Sequence, residues 1–240
     1  MKFNALPKMS VAGFVALLAC QPAIAGDATP SSSANWSGIF VGGSLGGAWN
    51  PTSYVHTETA GVGGPATNNE RFSTNGSSFL GGLHIGAQQQ IDAFVIGAEG
   101  GYDFFNARDS RQTNLNGIPR IRETRLNGMW YIAGRLGYAV DRALPYVKLG
   151  YANSELNYTN TRIADGVVVG QSSSRVGGFL VGAGLDFALT DNWVVGGEYN
   201  FAKFDVGSQQ QMRAGVPVSA FNGSNNVQFH SVTARLSYKF

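Results

Sequence analysis

The sequence is poor in charge, in cysteine and in long apolar runs. Charged side chains make up 13% of its 240 residues, against about 25% in an average globular domain. A formal net charge of +2 provides no basic field with which to hold nucleic acid. No stretch of about 18 consecutive apolar residues occurs, which excludes the usual helical membrane protein. The single cysteine, Cys20, cannot build a disulfide framework. Three scattered histidines, His56, His84 and His230, show no metal-ligand spacing, so no cofactor or metal is expected. What the chain has instead is 33 glycines and a hydrophobic content of 43% dispersed among polar residues. The period of that dispersal decides the fold class.

The chain opens on an export address. Lys2 and Lys8 form a positive head, residues 11–20 a short apolar core, and Ala23-Ile24-Ala25 a small-x-small cleavage site. Residues 1–25 are read as a secretory signal removed after Ala25, and residues 26–35 as a polar periplasmic lead. Cys20 then leaves with the signal, and so do Lys2 and Lys8, which carry the whole formal net charge. Leu17-Leu18-Ala19-Cys20 also resembles a lipoprotein cleavage box, in which Cys20 would become an acylated first residue. Mass spectrometry of the mature N-terminus separates the two.

Beyond the lead, large apolar side chains alternate with Gly, Ser, Ala or a single charge, the period-two pattern of strands. Eight segments show it: 36–49, 77–89, 93–105, 124–139, 145–157, 175–189, 193–204 and 226–240. Their connections alternate in length, short at 90–92, 140–144 and 190–192, and long at 50–76, 106–123, 158–174 and 205–225. This layout predicts an all-β fold, an eight-stranded antiparallel transmembrane β-barrel over 36–240 with short periplasmic turns and four long extracellular loops.

The two faces of each segment differ in kind. Phe94, Ile96, Ala98, Tyr102 and Phe104 oppose Glu99 and Asp103. Leu126, Trp130, Ile132, Leu136 and Tyr138 oppose Asn127, Tyr131, Ala133 and Arg135. Val147, Leu149 and Tyr151 oppose Lys148; Phe179, Val181, Leu185 and Phe187 oppose Asp186; Val195, Tyr199 and Phe201 oppose Glu198. A soluble barrel would carry many charges outside and pack the bulky set inside. The bulky set therefore faces lipid, and Glu99, Asp103, Arg135, Lys148, Asp186, Glu198 and Arg235 form a charge network in a lumen of otherwise small residues. At the C-terminus, Phe240, Tyr238, Leu236, Ala234 and Val232 make an unbroken apolar parity against Lys239, Ser237, Arg235, Thr233 and Ser231. A terminal aromatic on such a strand resembles the signal read by the outer-membrane barrel assembly machinery.

Two motifs carry a family resemblance. Trp36-Ser37-Gly38-Ile39-Phe40-Val41-Gly42-Gly43 resembles the opening of the alphaproteobacterial small outer-membrane β-barrel proteins, the opacity/porin-like surface antigens. The segment from Gly134-Arg135-Leu136-Gly137-Tyr138 through Asp141-Arg142 to Pro145-Tyr146-Val147 resembles their central hairpin. The resemblance implies fold and outer-membrane location, and a role as surface antigen, membrane stabiliser, porin-like channel or, in some members, haem binder.

Function is less legible than fold. An eight-stranded lumen is just wide enough for side chains to fill it, so the charged residues are read as a plug within a structural, surface-exposed protein. A narrow or gated porin is the alternative, and a loop-mediated adhesin or haem binder a third reading. Catalysis is not expected: a deacylase-like site would need His-x-Ser on one face, whereas His230 and Ser231 are adjacent and point apart. His84 is read as a lumen hydrogen-bonder. The second long loop carries Arg108, Arg111, Arg120, Arg122 and Arg125 against Asp109 and Glu123. Arginine forks suit phosphate, which makes this loop a candidate contact for lipopolysaccharide.

Overall fold

The computed structural model describes residues 33–56, 70–115, 118–206, 209–213, 216–221 and 225–240. The signal segment 1–25 and residues 26–32 of the lead lie outside these. The strands are β1 (Gly38–His56), β2 (Glu70–Ile91), β3 (Phe94–Leu115), β4 (Ile118–Tyr138), β5 (Ala143–Arg162), β6 (Val168–Ala188), β7 (Trp193–Val206), β8 (Gln209–Arg213), β9 (Val216–Phe221) and β10 (Asn225–Lys239). Eight of them form the ring, in the order β5-β4-β3-β2-β1-β10-β7-β6, and β5 pairs with β6 to close it. All ring pairings are antiparallel. Closure matters in lipid, because an open sheet edge there would leave backbone polar groups without partners.

The stretches expected as four long loops are largely strand. The β1–β2 ladder continues to His56↔Glu70, β3–β4 to Leu115↔Ile118 and β5–β6 to Thr161↔Val168. The fourth stretch holds the β8–β9 hairpin, which joins β6 at Gln171↔Met212. Outside lipid a strand no longer needs one apolar face, so its sequence period disappears while its backbone pairing continues. Between Leu115 and Ile118 stand Asn116-Gly117, the strongest short hairpin signature, which marks this arm in the sequence.

The outward wall is an apolar belt with aromatic rims. Phe94 and Tyr138 meet edge to face at 5.4 Å, as do Trp193 and Tyr238 at 5.2 Å, along the short-turn end. Tyr102 with Phe104, Trp130 with Tyr151, and Phe179 with Phe201 line the other rim. Phe94 and Phe104 are about ten residues apart on β3. At about 3.4 Å per residue and a tilt of about 40°, the rims stand about 25 Å apart, the height of a lipid-facing band.

The faces assigned to Leu126 and Asn127 are both overturned, Asn127 pairing with the exposed Asn106. Leu126, expected on the lipid side, is buried in the interior with Met129. The register of β4 slips between Asn127 and Met129, at Gly128, which has φ +49°. Glycine adopts that left-handed conformation freely, and the extra residue inverts the parity beyond it.

Candidate functional site

The interior concentrates buried charge, and it is built in layers along the barrel axis. At the short-turn end Trp36, Val95, Leu144, Ala188 and Val194 form a buried apolar cluster with Ala34. Trp36 was expected to begin the first strand, but it precedes β1 and folds under the ring, 1% exposed. Gln90 Oε1 accepts from its backbone N–H at 2.9 Å, and Gln88 Nε2 donates to its carbonyl at 2.7 Å. The Lys239 ammonium donates to the Asn35 carbonyl, so the last strand holds the lead in place.

The middle layer holds three acids and three bases from six different strands. Glu99 lies on β3, Arg135 on β4, Lys148 on β5, Asp186 on β6, Glu198 on β7 and Arg235 on β10, each buried. Lys148 Nζ bridges Glu198 Oε1 at 2.8 Å and Glu99 Oε1 at 3.2 Å. Arg235 pairs with both Glu99 and Glu198, and Arg135 pairs with Asp186 and approaches Glu99 at 3.7 Å. Arg135 and Lys148 are direct register partners, a repulsive arrangement unless acids are interposed; Glu99 lies against both.

Two tyrosines complete the layer. Tyr131 donates to Glu99 at 2.9 Å and Tyr146 to Glu198 at 2.7 Å. The Arg135 guanidinium stacks over the Tyr146 ring at 3.6 Å, and Lys148 Nζ lies 4.4 Å from the Tyr131 ring centre. Room for these rings comes from glycine. A Cβ at Gly101 would stand 2.6 Å from the Tyr131 hydroxyl, and one at Gly184 would stand 2.5 Å from that of Tyr146. On the remaining wall, His84 Nε2 lies 2.8 Å from Ser237 Oγ, which places His84 in the lumen with a partner. Asp103 is also buried but makes no ion pair among the described residues. It stands four residues beyond Glu99 on β3, roughly 13 Å along the strand, outside the layer that holds the bases.

Above the charges, the interior turns apolar again. Leu80, Phe105, Leu126, Met129, Leu156, Val176, Leu180, Phe204, Val227 and Phe229 pack together, with Phe105 and Phe229 stacked at 4.7 Å. A lumen of small residues was expected; this bulky layer corrects it. Phe204 continues the parity of Glu198, Asn200 and Ala202, so following the charged face to the end of its segment finds it.

The five arginines of the β3–β4 arm do not form one patch. Arg108 and Arg125 are register partners on the outward face, with Glu123 beside them. Arg120 lies on the opposite parity. Arg111 and Arg122 are register partners in backbone, and their side chains lie outside the described residues. Arg125 Nε bonds Glu123, and this holds the Glu123 carboxyl below its usual range.

At the C-terminus, Phe240, Leu236, Ala234 and Val232 are exposed on the outward wall and Tyr238 is half-buried there. The Phe240 N–H donates to the Ile39 carbonyl at 2.8 Å, and its ring meets Tyr238 edge to face at 5.0 Å. Ser231 is buried inside while His230 faces out.

Comparison with known proteins agrees with this architecture. Residues 12–240 match the family model described as the outer membrane protein beta-barrel domain. The chain is 27% identical over 224 residues to a 31 kDa outer-membrane immunogenic protein of Brucella melitensis, covering 89% of this chain and 87% of that one. The crystal structure of the outer membrane protein OprG from Pseudomonas aeruginosa superposes with a TM-score of 0.54 at 13% identity, covering 88% and 98% of the two chains. The outer membrane protease OmpT from Escherichia coli superposes with 0.52 at 12% identity, covering 85% and 97%. Likeness at that identity extends to the fold alone.

Proposed function

Because this chain belongs to the outer membrane protein β-barrel domain family and is located in the outer membrane, we propose that it is a non-conducting structural barrel that displays β-arms at the cell surface. The observation carrying this reading is the stack of three buried layers in one lumen: the Trp36 cluster, the six-charge network and the apolar layer around Phe105, Phe204 and Phe229. A permeating ion would have to displace all three. Planar-bilayer recording on the purified, folded protein tests it. Absence of unitary currents is expected; stable currents of one amplitude would overturn the plugged reading in favour of a narrow or gated pore. No catalytic step belongs to this proposal, since Ser231 and His230 point to opposite faces of β10.

The terminal strand is proposed as the recognition element for the barrel assembly machinery. Deleting Phe240 removes an exposed aromatic and its hydrogen bond to Ile39 while leaving the lumen layers untouched. The truncated chain should refold in detergent yet accumulate poorly in the outer membrane, as read by the heat-sensitive migration of membrane fractions. Wild-type accumulation would count against this role.

Arg108 and Arg125 are proposed to contact lipopolysaccharide phosphates, supported by their adjacency on the outward face beyond the belt. Changing both to Ser should lower lipopolysaccharide binding most at low salt, because exposed charge pairs are screened by ions. Binding indifferent to both changes would end this reading.

A further inference from the structure

The outward wall formed by β1, β10 and β7 carries a polar cluster at the outer aromatic rim, away from the β3–β4 arm. His230 lies directly across from Trp49 on one side and Phe201 on the other. Its ring stacks on Trp49, with centroids 5.4 Å apart and planes within 5° of parallel, and meets Phe201 at 5.1 Å. His230 Nδ1 is 2.7 Å from the Tyr199 hydroxyl. The phenol hydroxyl can donate to Nδ1, and in that tautomer the imidazole carries its proton on Nε2, where it is free to donate outward. One pleat further from the short-turn end, the same face bears Gln228 and Lys203, themselves register partners. Gln228 is exposed and Lys203 half-buried.

An imidazole N–H, a carboxamide and an ammonium thus lie within two residue steps of one another on adjacent strands, beside an aromatic floor. Height decides what they can meet. His230 stands eight residues from Tyr238 of the periplasmic rim, roughly 20 Å up the wall, where acyl chains give way to headgroups. Polar side chains facing lipid are costly at mid-bilayer and nearly free at this level.

We infer that this cluster binds the phosphorylated sugar headgroup of lipopolysaccharide from the outer leaflet, the phosphate taken by Lys203 and His230 Nε2 and the sugar ring laid on Trp49. Charge complementarity carries the phosphate assignment, and an aromatic face suits the apolar side of a sugar. The inference rests on the outer-membrane reading, but not on the arginines of the β3–β4 arm.

The test uses the folded barrel, with 15N-labelled histidine, in phosphatidylcholine nanodiscs titrated with lipopolysaccharide. The His230 Nε2 resonance, identified by its loss in His230→Ala, should move. His230→Ala and Lys203→Gln should each weaken lipopolysaccharide binding about tenfold, the effect of losing one hydrogen bond to a charged group. Tyr199→Phe should weaken it less and alter the imidazole tautomer seen in the spectrum. The Arg108→Ser/Arg125→Ser double variant should leave the His230 response intact. Heat-sensitive migration confirms that each variant is folded. Unchanged binding in both His230→Ala and Lys203→Gln overturns the site, as does an equal resonance shift with inorganic phosphate or with phosphatidylglycerol. Loss confined to the arginine double variant would overturn this site while leaving the arm contact standing.

Discussion

Replacing Arg235 with alanine should destabilise the folded barrel by about 3–5 kcal/mol, the range for removing one partner of a buried ion pair. Arg235 joins Glu99 to Glu198 and lies 3.2 Å from the Tyr146 hydroxyl. Without it, Lys148 must bridge both carboxylates from the opposite wall, helped among the bases only by Arg135, 3.7 Å from Glu99. The cost is that of stranded charge, since burying ions is expensive and only good geometry repays it. Exchanging the whole set for apolar residues of similar volume should therefore cost far less than Arg235→Ala. Denaturant unfolding in lipid vesicles, followed by tryptophan fluorescence and gel migration, reads both. A change below about 1 kcal/mol for Arg235→Ala, the scale of an exposed pair, would mean that the six charges do not act as a network.

Leu149→Arg should cost about 2–4 kcal/mol, the range for a basic side chain on the lipid face near the bilayer centre. Leu149 is 66% exposed on the outward wall, between Val147 and Tyr151. Lys148, its neighbour in sequence, is fully buried among acids. A cation one position along the chain is thus integral to the lumen, while a cation at 149 meets hydrocarbon. Exchanging the two residues should be worse than either change alone, because it strands Glu99 and Glu198 inside as well as a charge outside. Refolding yield into vesicles and the unfolding midpoint check this. Leu149→Arg refolding with wild-type stability would show that this wall does not face lipid.

The membrane-embedded part of the fold was legible because lipid and lumen impose opposite demands on alternate residues. Phe94, Ile96 and Phe104 had to differ from Glu99 for any such barrel to insert, and that difference is written in the order of the residues. The same logic marked Arg135, Lys148, Asp186, Glu198 and Arg235 as interior. It failed where the two demands lapse. Beyond the belt the paired arms of β3–β4 and β5–β6 carry no apolar face, and only Asn116-Gly117 hints at continued pairing. At Gly128 a single extra residue inverted the parity, and Leu126 was assigned to the wrong side. Phe105, Phe204 and Phe229 stand inside the expected segments, on the parity of Glu99, Glu198 and Arg235, but nothing local to a segment says that an inward face of small residues and charges turns bulky there.

By itself, then, the order of residues determined an outer-membrane barrel of eight strands with a lipid wall and a charged interior, since period-two alternation is a local property that each strand states alone. The tertiary structure decided which charges meet. Glu99, Lys148, Glu198 and Arg235 come from strands separated by up to 136 residues in the chain, and only ring closure with its fixed registers brings them to one height. It also decided that Trp36 turns inward beneath the ring and that His230, Tyr199 and Lys203 share one outward face with Trp49. Such contacts depend on which strands become neighbours and at what register, and no single strand contains that information.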